Sequence, residues 1–225
     1  MSSSLKIPLA IVAGGVIIAV AVYASMPKRV QTGSGSGDPA LVRPISASDH
    51  ILGNPAAKAM IVEYCDFDSE FCKSFDDTLH QIIASEGTSG EVAWTFREFP
   101  LTELHPNALS HAKAAECVAQ IAGNDAFWKF KSSLFANQPV NPMRYGELAV
   151  AAGAPGDPFA TCYASESAST PLIEHIKSDR QNALDTGAAG APYSLIVVAG
   201  KPPIVMDGAY PYDAVKQLLD QALEN

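Results

Sequence analysis

Positive charge is scarce in this chain: 15 Lys and Arg stand against 24 Asp and Glu in 225 residues, a formal net charge of −9. Without residues 1–29, which hold Lys6, Lys28 and Arg29 and no acid, 12 basic side chains face those 24 acidic ones. An acidic body of this kind argues against nucleic acid as a partner and against adhesion to an anionic membrane surface. Phosphate-cradling glycine motifs (the P-loop, G-x-G-x-x-G) are missing as well. The five histidines, at 50, 80, 105, 111 and 175, show neither H-E-x-x-H nor C-x-x-C…H spacing, so no zinc site is expected. Asp66, Asp68 and Glu70, with Glu63 nearby, fall short of an EF-hand loop and read as a solvated acidic turn. No cofactor and no metal are expected. There is no internal repeat, and there are four cysteines, Cys65, Cys72, Cys117 and Cys162, none in a C-x-x-C arrangement.

What the chain does have begins with an uncharged run of Ile, Val and Ala from Ile7 to Ser25, preceded by Lys6 and followed by Lys28 and Arg29. Its length falls within the roughly 17–25 residues that cross a bilayer and exceeds the ~7–15 of a signal-peptide core. A single-pass anchor over residues 1–29 is therefore expected, with a signal peptide cut after Ala24 as the alternative. Either way the body is expected outside the cytoplasm, where disulfides persist. Residues 30–40 form a Gly/Ser tether without apolar period. The folded part is expected over 41–225, a length that buries a core of ordinary size.

Along that part, His50 to Pro55 reads as a turn before a strand at Met60–Tyr64. Phe71, Phe75, Leu79, Ile82 and Ile83 recur at helical spacing, so a helix starts near Ser69 or Glu70. Val92–Phe99 alternates as a strand. From about 105 to 180 the pattern is helical, broken at Gly123-Asn124, Gln138–Pro142, Gly153–Pro158 and Pro171, which predicts three or four helices. Ser194–Val198 and Ile204–Met206 read as a hairpin, and Tyr212–Leu223 as a closing amphipathic helix. Trp94, Trp128 and most Phe residues fall on apolar faces and read as core. Strand, helix, strand, helical block, hairpin, helix describes an α/β, thioredoxin-like fold with an inserted helical domain at about 105–180.

The chemistry concentrates at the first strand-to-helix turn, I-V-E-Y-C-D-F-D-S-E-F-C-K-S-F over 61–75. Ser69 sits at the helix N-terminus and Cys72 one turn inside, where the helix dipole and free N–H groups lower a thiol pKa; the acidic neighbours oppose that. Three readings are open. Cys72 is a lone thiol that forms mixed disulfides, or Cys65 and Cys72 form an unconventional pair, or both are inert in a binding module. The pair demands Cα atoms within about 7 Å.

The ordered set D-H-I-L-G-N-P (49–55), the 61–75 stretch, F-R-E-F-P-L (96–101), L-H-P-N-A (104–108), A-A-E-C (114–117), F-W (127–128) and G-A-P-Y (190–193) resembles the DsbA-like thiol–disulfide oxidoreductases, of the membrane-anchored bacterial type. The likeness runs from about Ser48 to the C-terminus. It implies that Ser69 stands where the family carries its nucleophilic cysteine, Glu70 where a Pro is common, and Cys72 at the second cysteine. A serine hydroxyl cannot join a disulfide, so a Ser69–Cys72 dithiol cycle is excluded. Cys72 is then the candidate catalytic sulfur, with Ser69 at most a hydrogen-bond donor to it. Ala191 and Pro192 would be the cis-proline loop that meets an extended peptide substrate. Cys117 and Cys162 would form a structural disulfide, the alternative being two buried free thiols. The implied partners are protein thiols and disulfides or extended peptides, together with a membrane redox partner. A redox-inactive peptide-binding module is the alternative function.

Overall fold

The structure is a computed structural model that describes residues 36–224. The expected anchor at 7–25, the alternative cleavage after Ala24 and most of the tether lie outside the described residues. Among the described residues no helix is long and apolar enough to cross a membrane. All that follows belongs to the unit Ser34–Asn225.

Five strands form one mixed sheet in the order β1-β3-β2-β4-β5: β1 His50–Gly53, β2 Ala59–Cys65, β3 Val92–Glu98, β4 Tyr193–Val198 and β5 Ile204–Asp207. β2 runs parallel to β3, from Ala59↔Val92 to Cys65↔Glu98, and antiparallel to β4, ending at Tyr64↔Tyr193. Every residue of β2 and β3 is buried, because both faces of the sheet are covered. The period of two divides them cleanly. Ala59, Ile61, Cys65, Trp94 and Phe96 join one core cluster, while Met60, Val62, Tyr64 and Phe99 join the other. The helices are α1 Glu70–Ser85, α2 Ala108–Ala122, α3 Asn124–Ala136, α4 Tyr145–Ala152, α5 Gly156–Ala164, α6 Glu166–Thr186 and α7 Tyr212–Glu224.

This is the expected α/β, thioredoxin-like architecture with a helical insertion, with four local corrections. His50–Gly53 is a strand rather than a turn: four residues are too few to show alternation, and pairing with Ala93–Phe96 of β3 makes the strand. The insertion holds five helices, since α4 and α5 are each under ten residues and the breaks between them are short. The chain passes through Pro171 without a break, because the proline lies near the start of α6 and its missing N–H removes a single helical bond. Phe71 is exposed, not core, although it stands one helical turn before the buried Phe75.

Where the insertion meets the sheet, charge is buried. Lys131 of α3 is fully buried, ion-paired to Asp76 of α1, and its Nζ lies 4.0 Å from the ring centre of Trp94 and 4.8 Å from that of Trp128. Desolvation of the ammonium is offset by the ion pair and the ring faces. Glu63 of β2 faces the same cluster and accepts a 2.9 Å hydrogen bond from Trp94 Nε1. Burial pushes its carboxyl up to about 8, against the nearby Lys131 charge, which lowers it. Within the insertion Cys117 of α2 is bonded to Cys162 of α5 across 45 residues of sequence.

Two outcomes follow. With a folded-state pKa raised above the unfolded value, Glu63 holds its proton in the native state while the unfolded chain has lost it. The contribution of Glu63 to stability is therefore greatest below about pH 4.5 and is lost as pH rises towards about 8, by at most roughly 1.4 kcal/mol per unit. Denaturation of Glu63→Gln at pH 5 and pH 8 should show a gain over wild type confined to the higher pH; a pH-independent difference would refute this assignment. Replacing both Cys117 and Cys162 with Ala should lower unfolding free energy by about 2–4 kcal/mol, measured by urea titration.

Candidate functional site

The turn that follows β2 is organised by hydrogen bonds to buried groups. β2 ends at Cys65, residues 66–69 turn the chain, and Ser69 caps α1, its Oγ accepting from Cys72 N–H at 3.3 Å. The pleat of β2 points Cys65 at α1, and the inner face of α1 carries Cys72 with Phe75 and Leu79. The two sulfurs meet there. Cys65 and Cys72 are bonded, with Cα atoms 5.9 Å apart, and each residue is 0% exposed. Of the three readings the sequence left open, the Cys65–Cys72 pair is thus the one present, and Cys72 is not a free thiol; among the described residues none of the cysteines is free. Asp66 N–H donates to Cys72 Sγ at 3.2 Å.

The acids of the turn are not a solvated surface. Asp66 is buried, and its Oδ2 accepts from Leu101 N–H at 2.7 Å and meets His105 Nδ1 at 3.0 Å, while Oδ1 accepts from Asp68 N–H at 2.8 Å. Asp68 Oδ1 meets Nε2 of the buried His111 at 3.0 Å, and His111 Nδ1 meets Tyr145 OH at 2.7 Å. Burial pushes the His111 pKa down, against the pull of Asp68, and burial also pushes the Tyr145 phenol up. A neutral His111 then donates from Nε2 to the carboxylate and accepts at Nδ1 from the phenol. Only Glu70 of this set is exposed. Gln138, in the loop after α3, donates from Nε2 to the carbonyls of Phe67 at 2.5 Å and Ser69 at 3.3 Å.

On the other side lies the Ala191–Pro192 loop, whose peptide bond is cis. The register Tyr64↔Tyr193 carries Pro192 to the level of Cys65 across the β2–β4 pair. The Pro192 carbonyl is already taken by Gly208 N–H at 3.0 Å. Three large apolar side chains are exposed in segments that follow or bond to the turn: Phe71 on α1, Leu104 next to His105, and Met143 five residues beyond Gln138. Asp68, Glu70, Lys73, Gln138 and Pro139 line a cavity of about 360 Å³ beside it.

The structure therefore brings Cys72, Ser69, Ala191 and Pro192 to one end of the sheet, and places Cys117 and Cys162 in the insertion, away from that turn. Sequence reasoning missed Gln138, His105 and His111 as partners of the turn. His105 belongs to a motif that could have pointed to it, but Gln138 and His111 sit in stretches read only as a helix break and a helix face. No group of His, Cys, Asp and Glu among the described residues is arranged to hold a metal ion.

Comparison with known proteins agrees with this geometry. A thioredoxin family model matches residues 46–186. The protein named Na(+)/H(+) antiporter NhaA 1 of Mycolicibacterium gilvum is 34% identical over 117 residues, 50% of this chain and 18% of that protein. The one named NhaA 3 of Salinispora tropica is 32% identical over 124 residues, 53% of this chain and 18% of its own. The chain thus spans under a fifth of the length of these curated relatives. Among solved structures, oxidised BdbD of Bacillus subtilis superposes with a TM-score of 0.70 at 21% identity, covering 85% of this chain and 99% of that one. The thiol-disulfide exchange protein α-DsbA2 of Wolbachia pipientis gives 0.67 at 18% identity, covering 78% and 88%. The chain belongs to the thioredoxin family and has the fold of the DsbA-type proteins.

Proposed function

We propose that this protein exchanges disulfides with polypeptide clients outside the cytoplasm, held to a membrane by the apolar segment at 7–25, and that Cys65–Cys72 is its reacting pair. The observation that carries the reading is the position of that bond. It spans the strand-to-helix turn, level with Pro192, although Ser69 occupies the first position of the motif. The exposed Phe71, in the same helical turn as Cys72, and Leu104, next to His105, suit an extended client segment carrying apolar side chains.

The exchange balances as follows. A client thiolate attacks Cys65 Sγ, the Cys65–Cys72 bond breaks, and Cys72 leaves as a thiolate. Cys72 is the better leaving group, since it lies in the first turn of α1 and receives the Asp66 N–H. A second client thiolate attacks the client sulfur of the mixed disulfide. Cys65 leaves, the client dithiol has become a disulfide, and its two protons end on Cys65 and Cys72. The same steps in reverse reduce a client disulfide. Ser69 serves as the helix cap and takes no part in bond exchange.

One observation favours a second reading, a redox-silent module that binds extended peptides in the same place: neither cysteine has exposed surface. Incubating the oxidised protein with a reduced dithiol peptide separates the two. Exchange should convert Cys65–Cys72 to thiols with an equal amount of peptide disulfide, and Cys72→Ala, given the peptide in its disulfide form, should accumulate a mixed disulfide on Cys65 with one peptide thiol released, both read by mass spectrometry. Ser69→Ala should keep the exchange and lose about 1 kcal/mol of stability. Peptide binding with no change at Cys65 or Cys72 would decide for the silent module.

A further inference from the structure

The shielded disulfide raises the question of what keeps its cover in place. The 66–69 turn joins Cys65 to the cap of α1 with its Asp66 N–H on Cys72 Sγ, and the side-chain hydrogen bonds that reach it from outside come from the insertion and the loop leading into it. His105, in that loop, holds Asp66, and His111 of α2 holds Asp68. Gln138 holds the carbonyls of Phe67 and Ser69, on both sides of Asp68. The Phe67 ring is buried between insertion and sheet, 5.1 Å from the centre of Phe96 and 5.5 Å from that of Phe135. Of these contacts, Gln138 alone binds backbone at two points of the turn, and it acts from an irregular loop rather than a helix. It also lines the cavity of about 360 Å³ at the edge of the turn, so its side chain has room to swing away.

We propose that Gln138 is the positioning residue that holds the 66–69 turn closed over Cys65–Cys72, and that the pair exchanges from the open turn in which both Gln138 bonds are released. The inference rests on the reading of Cys65–Cys72 as the reacting pair and adds its regulation: access to sulfur is set by a loop of the insertion. Exchange with a client is then limited by opening of the turn, and a client that displaces Gln138 promotes its own reaction.

The test uses the full chain, oxidised, with Gln138→Glu and Gln138→Ala variants. The first keeps the side-chain volume, removes the N–H donors and turns a carboxylate towards two carbonyls; the second removes the group altogether. Reduction of each disulfide by dithiothreitol under native conditions is followed by timed alkylation and mass mapping. Both variants should speed reduction of Cys65–Cys72 by about tenfold, in line with two lost hydrogen bonds, while Cys117–Cys162 changes by less than about twofold and so reports that the rest of the fold is intact. An unchanged rate at Cys65–Cys72, or a parallel rise at both disulfides, overturns the proposal. The dithiol peptide run alongside keeps the two readings apart. Variants that open to dithiothreitol yet fail to exchange with the peptide leave the Gln138 clasp standing and remove the proposed activity.

Discussion

A carboxylate cut off from solvent holds the functional end of this molecule together. Asp66 follows the last residue of the central strand, and its two oxygens gather N–H groups from Leu101, Asp68 and the His105 ring, while its own N–H reaches Cys72. A buried carboxylate is costly unless its lone pairs are filled, and here the donors come from two segments, Asp68 of the turn and Leu101 and His105 of the loop after β3. Filling them brings the turn, the chain after β3 and the first turn of α1 to fixed relative positions. The packing of Cys65 on Cys72 and the cap made by Ser69 both presuppose that arrangement.

The same logic, with a different outcome, governs the seam between sheet and insertion. Lys131 and Asp76 form a buried ion pair boxed by Trp94, Trp128, Phe96 and Phe135, while Glu63 beside them keeps its proton to about pH 8. One positive charge can compensate one carboxylate at this depth; the second acid stays neutral because burial penalises its ionised form, and the Asp76 charge adds to that penalty. The pair is a weak source of net stability, since apolar residues of equal volume would pack without desolvation cost. What it does is select one docking of α3 on the sheet: any other placement would leave the ammonium without its carboxylate.

The parts of the molecule that follow one-dimensional rules were legible in the sequence. The order of long elements, the strand-to-helix turn with Ser69 at its cap, and the Gly190-Ala191-Pro192 loop before β4 all carry local signals. What was illegible depends on contacts between distant segments. β1 exists through pairing with β3, and Cys65 finds Cys72 through the pleat of β2 and the inward face of α1. Asp66 and Asp68 look solvent-facing until His105, Leu101 and His111 are brought to them. Gln138 shows the limit most clearly: its role is set by two carbonyls about 70 residues earlier, and nothing in its own neighbourhood distinguishes it from an ordinary loop glutamine.

The exchange of roles at the turn has a physical rationale. Position 69 must serve the helix as well as any chemistry. A serine hydroxyl accepts the Cys72 N–H and satisfies one of the open donors of the first turn, a task for which a thiol is a weaker acceptor. With Ser69 committed to capping, the sulfur that completes a disulfide has to come from another element within reach of Cys72. The end of β2 is such an element, because its pleat already points Cys65 at α1. With the partner at the strand end, the disulfide spans the same turn and neither of its cysteines is exposed. On the proposed reading, access to the pair depends on the hydrogen bonds that close the turn, and the side chain that binds its backbone at two points, Gln138, belongs to the insertion and not to the thioredoxin sheet.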